Sequence, residues 1–172
     1  FAGDESLKGG IYIILTKPDN RYLEFLVGNE KDQQDLYIYT KKDPEKGMNE
    51  HLKIKGSEDN KVFLEYLDFL GEVRDKNQPL ESQLAAAKKE RNQELIAELQ
   101  AKIQKNNDKV MNYQDDVAKK YPDFLCSKLI MASRQPVVPD KIKGDRKQAF
   151  YYFREHFWDN FDWSDPRMIR TP

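Results

Sequence analysis

The chain has 172 residues, 29 Lys and Arg against 30 Asp and Glu, a net charge of −1, 38% hydrophobic content and one cysteine. That length can bury a core without staples, and the near-neutral balance removes any global attraction to nucleic acid or an anionic membrane while leaving local basic patches open. The lone Cys126 excludes an internal disulfide, a CxxC redox pair and a multi-cysteine zinc site.

No apolar run approaches the roughly 18 residues of a membrane span. The N-terminus lacks a signal-peptide pattern, and a chain that opens on Phe1-Ala2-Gly3-Asp4 and soon enters a strand reads as starting inside a domain. Ile11–Leu15 is a β-branched and aromatic run entered through Gly9-Gly10, and Lys17-Pro18-Asp19-Asn20 turns it into Tyr22–Val27, predicting a hairpin. Gly28-Asn29-Glu30-Lys31-Asp32 breaks the pattern and Leu36–Thr40 resumes it. After a loop from Asp43 to Gly47, His51–Lys55 alternates as an edge strand does. Four strands are enough for one sheet face and too few for a closed barrel.

The period changes at Gly56-Ser57, where Ser57 is a candidate N-cap and Glu58 and Asp59 suit the positive end of a helix. Val62, Tyr66, Phe69 and Val73 form an apolar stripe. Ile96, Leu99, Ile103, Asn106, Val110, Tyr113 and Val117 make a heptad seam whose one polar member, Asn106, is either solvated or part of a register-fixing pair. These segments predict a long antiparallel helical hairpin turning at 89–93, where no Gly or Pro fixes the turn; Pro79 raises the alternative of a helix break. Tyr121-Pro122-Asp123 ends the second arm and a short helix runs to Ala132. Pro136-Val137-Val138-Pro139 is an extended linker, and a last helix runs from about Gly144 to His156. The expected class is α+β: a small antiparallel β-sheet region over 1–56, partial at its start, followed by a helical region over 57–172.

Eight aromatic residues fall between positions 150 and 163, so this segment is either an anchor or a recognition surface. Phe150, Phe153 and Phe157 share one helix face and Tyr151 and Trp158 another; the phenylalanine stripe is expected to be core. Trp158, Phe161 and Trp163 interleave with Asp159, Asn160, Asp162 and Asp165, a composition that also suits stacking on sugar rings, whereas the acidic residues would repel the phosphates of a stacked nucleic acid. His51 and His156 are the only imidazoles and have no triad spacing. His156 with Asp159 offers two metal ligands but no third. Cys126 sits among apolar neighbours as a small hydrophobe, and Gly9-Gly10 precedes a strand rather than the helix of a phosphate loop. No catalytic, cofactor-binding or metal residue is assigned, and no cofactor is expected. Tyr151, His156, Trp158, Phe161 and Trp163 are the candidates for interaction or packing.

The run Tyr152–Pro172, with its Trp-Asp-Asn-Phe-Asp, Asp-Pro-Arg and Arg-Thr-Pro portions, resembles a stretch in cell-envelope thiol-disulfide oxidoreductases of the thioredoxin-like, AhpC/TSA type from gut bacteria. There it lies in a domain of unknown function ahead of the catalytic domain. The order of Leu7-Lys8-Gly9-Gly10-Ile11-Tyr12, Lys55-Gly56-Ser57, the charged hairpin and Lys120-Tyr121-Pro122-Asp123 is similar too. The resemblance implies a non-catalytic accessory module that positions a thioredoxin-like domain of the same parent chain, or a partner, in the envelope or periplasm. The catalytic cysteine pair would follow Pro172, Cys126 is not one of that pair, and further strands would precede Phe1. A glycan- or peptide-binding module using the aromatic segment is the alternative, and the heptad seam admits a homodimer.

Overall fold

A computed structural model describes residues 6–18, 20–28, 36–41 and 51–170. Asp19 of the first turn, the break at 29–32, the loop at 43–47, the opening residues through Asp4, and Thr171-Pro172 lie outside the described residues. Among those described, the order is β1 (Gly10–Thr16), β2 (Arg21–Val27), β3 (Tyr37–Tyr39), β4 (Lys53–Lys55), α1 (Glu58–Glu90), α2 (Gln93–Lys120), α3 (Leu125–Ala132), α4 (Asp140–Lys143), α5 (Arg146–His156) and a closing 3-10 turn (Met168–Arg170). This is the expected α+β class. The strands form two two-stranded antiparallel sheets, β1 with β2 and β3 with β4, rather than one four-stranded face. The short α4 follows directly on the Pro136–Pro139 linker, where the sequence pattern signals no helix, and α5 begins at Arg146, two residues after Gly144.

The chain divides into two compact units: residues 1–61 with 121–172, and residues 62–120. In the first, β1 pairs with β2 from Gly10↔Val27 to Thr16↔Arg21. Leu23, Phe25 and Val27 alternate onto one face of β2 and are buried with Tyr12, Leu36, Ile38, Leu52 and Ile54 around them, so the two small sheets share one apolar cluster. Leu26 points to the opposite face and is also buried. α3 lies against β2 and against the closing turn. Leu125, Cys126, Ile130 and Met168 are buried with essentially no exposed surface. β2 is therefore covered on both faces, as its near-continuous Leu-Glu-Phe-Leu-Val run allows.

Ser57 caps α1 by accepting the Asn60 N–H at 3.2 Å, as its position implied. Asn60 is wholly buried. Its Oδ1 accepts the Leu26 N–H at 2.7 Å and its Nδ2 donates to the Leu26 carbonyl at 2.7 Å. One side-chain amide thus completes the outer edge of β2 where a neighbouring strand would otherwise bond.

The second unit is the antiparallel hairpin. Gln114 donates to the Tyr66 hydroxyl, Phe69 stacks on Tyr113 at 4.6 Å, and Asn106 donates to Asn77 at 2.8 Å, so positions descend along α2 as they rise along α1. Asn106 takes the pairing reading, and the seam faces α1 of the same chain. Pro79 is carried inside α1, which stays helical to Glu90. The turn is fixed without glycine or proline. Arg91 takes a left-handed φ of 56°, its N–H donates to the Lys88 carbonyl, and the Asn92 N–H donates to the Ala87 carbonyl, a Schellman motif. Asn92 Oδ1 then accepts the Leu95 N–H and caps α2.

Candidate binding surface

The aromatic segment is held by polar anchors on either side of its tip. α3 has no cap of its own, because Phe124 occupies its N-cap position. Asp59 supplies one instead: its two oxygens accept the N–H groups of Leu125 and Cys126 at 2.9 and 2.8 Å, seating a negative charge on the positive helix end. The helix so fixed presents Lys128, whose Nζ lies 2.6 Å from Asp162 Oδ2 in a half-buried ion pair. The other oxygen of Asp162 accepts the Ser164 hydroxyl at 2.6 Å and its N–H at 3.0 Å. The Lys128 hydrogen bond first, then those from Ser164, lower the Asp162 pKa from 3.8 to about 2. Trp163 sits at the apex of this Asx turn.

Four residues beyond Trp163, Arg167 grips the chain on the far side of that turn. Its Nε lies 2.9 and 3.1 Å from the two Asp165 oxygens, and Nη2 lies 2.6 Å from Oδ2. The remaining donors reach the Gly28 carbonyl at 3.2 Å and the Asp123 carbonyl at 3.0 Å. One planar guanidinium thereby joins the C-terminal segment, the end of β2 and the loop before α3. The Arg167 hydrogen bond holds the Asp165 carboxyl below the ordinary carboxylate range. Gly9 and Gly10 make room for this approach. A Cβ on Gly9 would lie 2.5 Å from Arg167 Cγ and 3.2 Å from the Gly28 carbonyl oxygen, and one on Gly10 would lie 2.7 Å from Arg170 Cβ.

The aromatic rings stand out from that framework. Phe150 is 60% exposed and Phe157 43%, which corrects the expectation that the phenylalanine stripe is core; only Phe153 is half-buried. Helical spacing gathers residues on one face but does not say whether anything covers it. The more protected face of α5 is instead the one bearing Ala149, Tyr152, Phe153 and His156, all of them half-buried. Trp158 and Trp163 are 53% and 68% exposed, Tyr151 is exposed and Phe161 is half-buried. The rings touch in series: Phe157 meets Trp158 edge-on at 5.0 Å, Trp158 meets Phe161 edge-on at 5.5 Å, and Phe161 lies 4.5 Å from Trp163. Edge-on packing leaves a corrugated surface rather than a flat one.

His156 does not join this surface as a ligand. Its Nδ1 lies 2.6 Å from Asp159 Oδ2 and its ring rests 4.2 Å from that of Tyr152. Among the described residues no group of three His, Cys, Asp or Glu side chains could hold a metal ion. Cys126 is buried, and desolvation, reinforced by the nearby Asp59 carboxylate, pushes its thiol far above the usual range. His51 is exposed, just before β4. No described helix is long and apolar enough to cross a membrane. The anchoring roles of Asp59, Asn60, Lys128 with Asp162, and Arg167 toward Gly28 and Asp123 escape sequence reading because their partners lie far along the chain, whereas the Asp-Pro-Arg spacing is a local sign of the Asp165–Arg167 pair.

Residues 97–172 match a family model described as a domain of unknown function (DUF5106). The match takes in the aromatic segment together with Lys128, Asp162, Asp165 and Arg167. No curated protein and no solved structure matches the chain.

Proposed function

We propose that this chain is a non-catalytic accessory module that offers its C-terminal aromatic segment to a protein partner, and that the partner is the thioredoxin-like domain of an AhpC/TSA-type thiol-disulfide oxidoreductase of the cell envelope or periplasm. The observation that carries the interaction role is the series of mutually touching rings from Phe157 to Trp163, of which Phe157, Trp158 and Trp163 are exposed, held in place by Lys128–Asp162 and Asp165–Arg167. Exposed aromatic clusters mark interaction sites, and tryptophans dominate binding energy where they are buried by a partner. A fixed support lowers the ordering cost of that burial. The thioredoxin-like partner and the location rest on the resemblance of the Tyr152–Pro172 run.

Titration calorimetry with a thioredoxin-like domain of this type added in trans tests the reading. Binding that weakens about tenfold or more in Trp158→Ala or Trp163→Ala supports it. Absence of binding, or insulin-disulfide reduction by this chain alone at a thioredoxin-like rate, contradicts it. A second reading has its own support: two of the three residues Trp158, Phe161 and Trp163 are open to solvent beside Asp159, as a glycan or peptide site requires. Tryptophan fluorescence that ignores a broad glycan panel removes the glycan form of that reading.

A further inference from the structure

The exposed side of α5 carries a second pattern besides its rings. With 3.6 residues per turn, Arg146, Lys147, Phe150, Tyr151, Arg154 and Phe157 fall within an arc of about 140°. All six are exposed. The arc holds three aromatic rings and three cations and no carboxylate. Glu155 falls outside it, and Asp145, at the N-cap, is occupied by the N–H groups of Lys147 and Gln148 and by the Gln148 amide. Among the described residues no carboxylate lies within ion-pair distance of Arg146, Lys147 or Arg154, whereas Lys128 and Lys143 each have one. Arg146 and Lys147 also stand in the first turn of the helix, the end that disfavours cations, and no acidic residue accompanies them there.

We infer that this face of α5 docks an acidic peptide segment that carries apolar side chains, a reading that deepens the interaction role proposed above and does not depend on the identity of the parent enzyme. Charge complementarity selects the acidic partner. The relief of the surface favours a peptide over a bilayer: Phe150 and Tyr151 meet at 68°, and Phe157 and Trp158 at 87°, so the rings stand at steep angles to one another instead of forming one flat apolar face. Arg154 lies 6.0 Å over the Tyr151 ring, so its guanidinium is already oriented beside an apolar surface, the arrangement in which a carboxylate is bound through two parallel hydrogen bonds.

Fluorescence anisotropy tests this with a labelled peptide of alternating Leu and Glu, its Leu and Gln analogue, and vesicles of phosphatidylglycerol. The acidic peptide is expected to bind about tenfold more tightly than the amide analogue, because hydrogen bonds to charged groups are the stronger ones. Arg154→Gln should erase most of that difference, and Arg154→Lys should restore only part of it. Arg154 is exposed, so circular dichroism of both variants should match the parent protein. Equal binding of the two peptides, or a preference untouched by Arg154→Gln, overturns the inference. Capture by the vesicles alone overturns it in favour of a lipid surface. If the acidic peptide fails while the thioredoxin-like domain binds, this inference falls and the accessory role stands. If the acidic peptide binds and that domain does not, this inference holds and the thioredoxin-like partner is removed.

Discussion

Asn60 concentrates much of the first unit's specificity in a single amide. It satisfies both backbone groups of Leu26 at 2.7 Å while wholly buried, so Asn60→Ala leaves a donor and an acceptor without partners. The expected loss is about 2–4 kcal/mol, read from urea unfolding. Asn60→Asp is also expected to destabilise, because a carboxylate can accept the Leu26 N–H but cannot donate to its carbonyl. The clasp residues make a different prediction, in pH. Asp162 and Asp165 both have folded pKa values below their ordinary 3.8, Asp162 at about 2. The unfolded chain therefore binds their protons first as pH falls. The stability they contribute is present above about pH 4 and is lost between there and about pH 2. Thermal midpoints measured across that window should fall with pH, and Asp162→Asn should flatten part of the slope.

At the scale of elements, the hairpin turn depends on Asn92, which donates to the Ala87 carbonyl and accepts the Leu95 N–H. Asn92→Ala keeps the first bond and loses the second, an expected cost of about 1 kcal/mol in equilibrium unfolding. The Asn77–Asn106 layer predicts a separation of stability from specificity. Replacing both by Leu should raise stability while broadening the amide spectrum of the hairpin, because the register is no longer marked by a polar pair. Sharp resonances with unchanged Tyr66–Gln114 proximity would show that the apolar seam alone sets the register. These elements also show what the sequence made legible. The β-branched and aromatic runs at Ile11–Leu15 and Tyr22–Val27, the heptad from Ile96 to Val117 and the Ser57 cap are readable because each signal is local. The αL turn at Arg91 carried no glycine to announce it. Pro79 read as a possible break because its local cost is visible in sequence, whereas the packing that keeps α1 helical is not. The phenylalanine stripe reads as core from sequence because periodicity identifies a face without identifying its cover.

For the whole molecule, the first unit is assembled from both ends of the chain. Asp59 caps α3 across 66 residues and Arg167 reaches Gly28 across 139. Such pairings leave no periodic trace, which is why the supports of the aromatic segment were hidden while the segment itself was conspicuous. The result is a polar clasp that fixes the segment and leaves its rings outside. The two tryptophans of the chain are Trp158 and Trp163, so its tryptophan fluorescence reports on this segment alone. Acrylamide quenching of that emission in the native protein, with and without the thioredoxin-like domain, is the most direct measurement. Strong quenching that falls when the domain is added is the predicted result. Weak quenching that is the same in both samples and rises only on unfolding would mean that the rings are packed rather than presented, and would contradict the account.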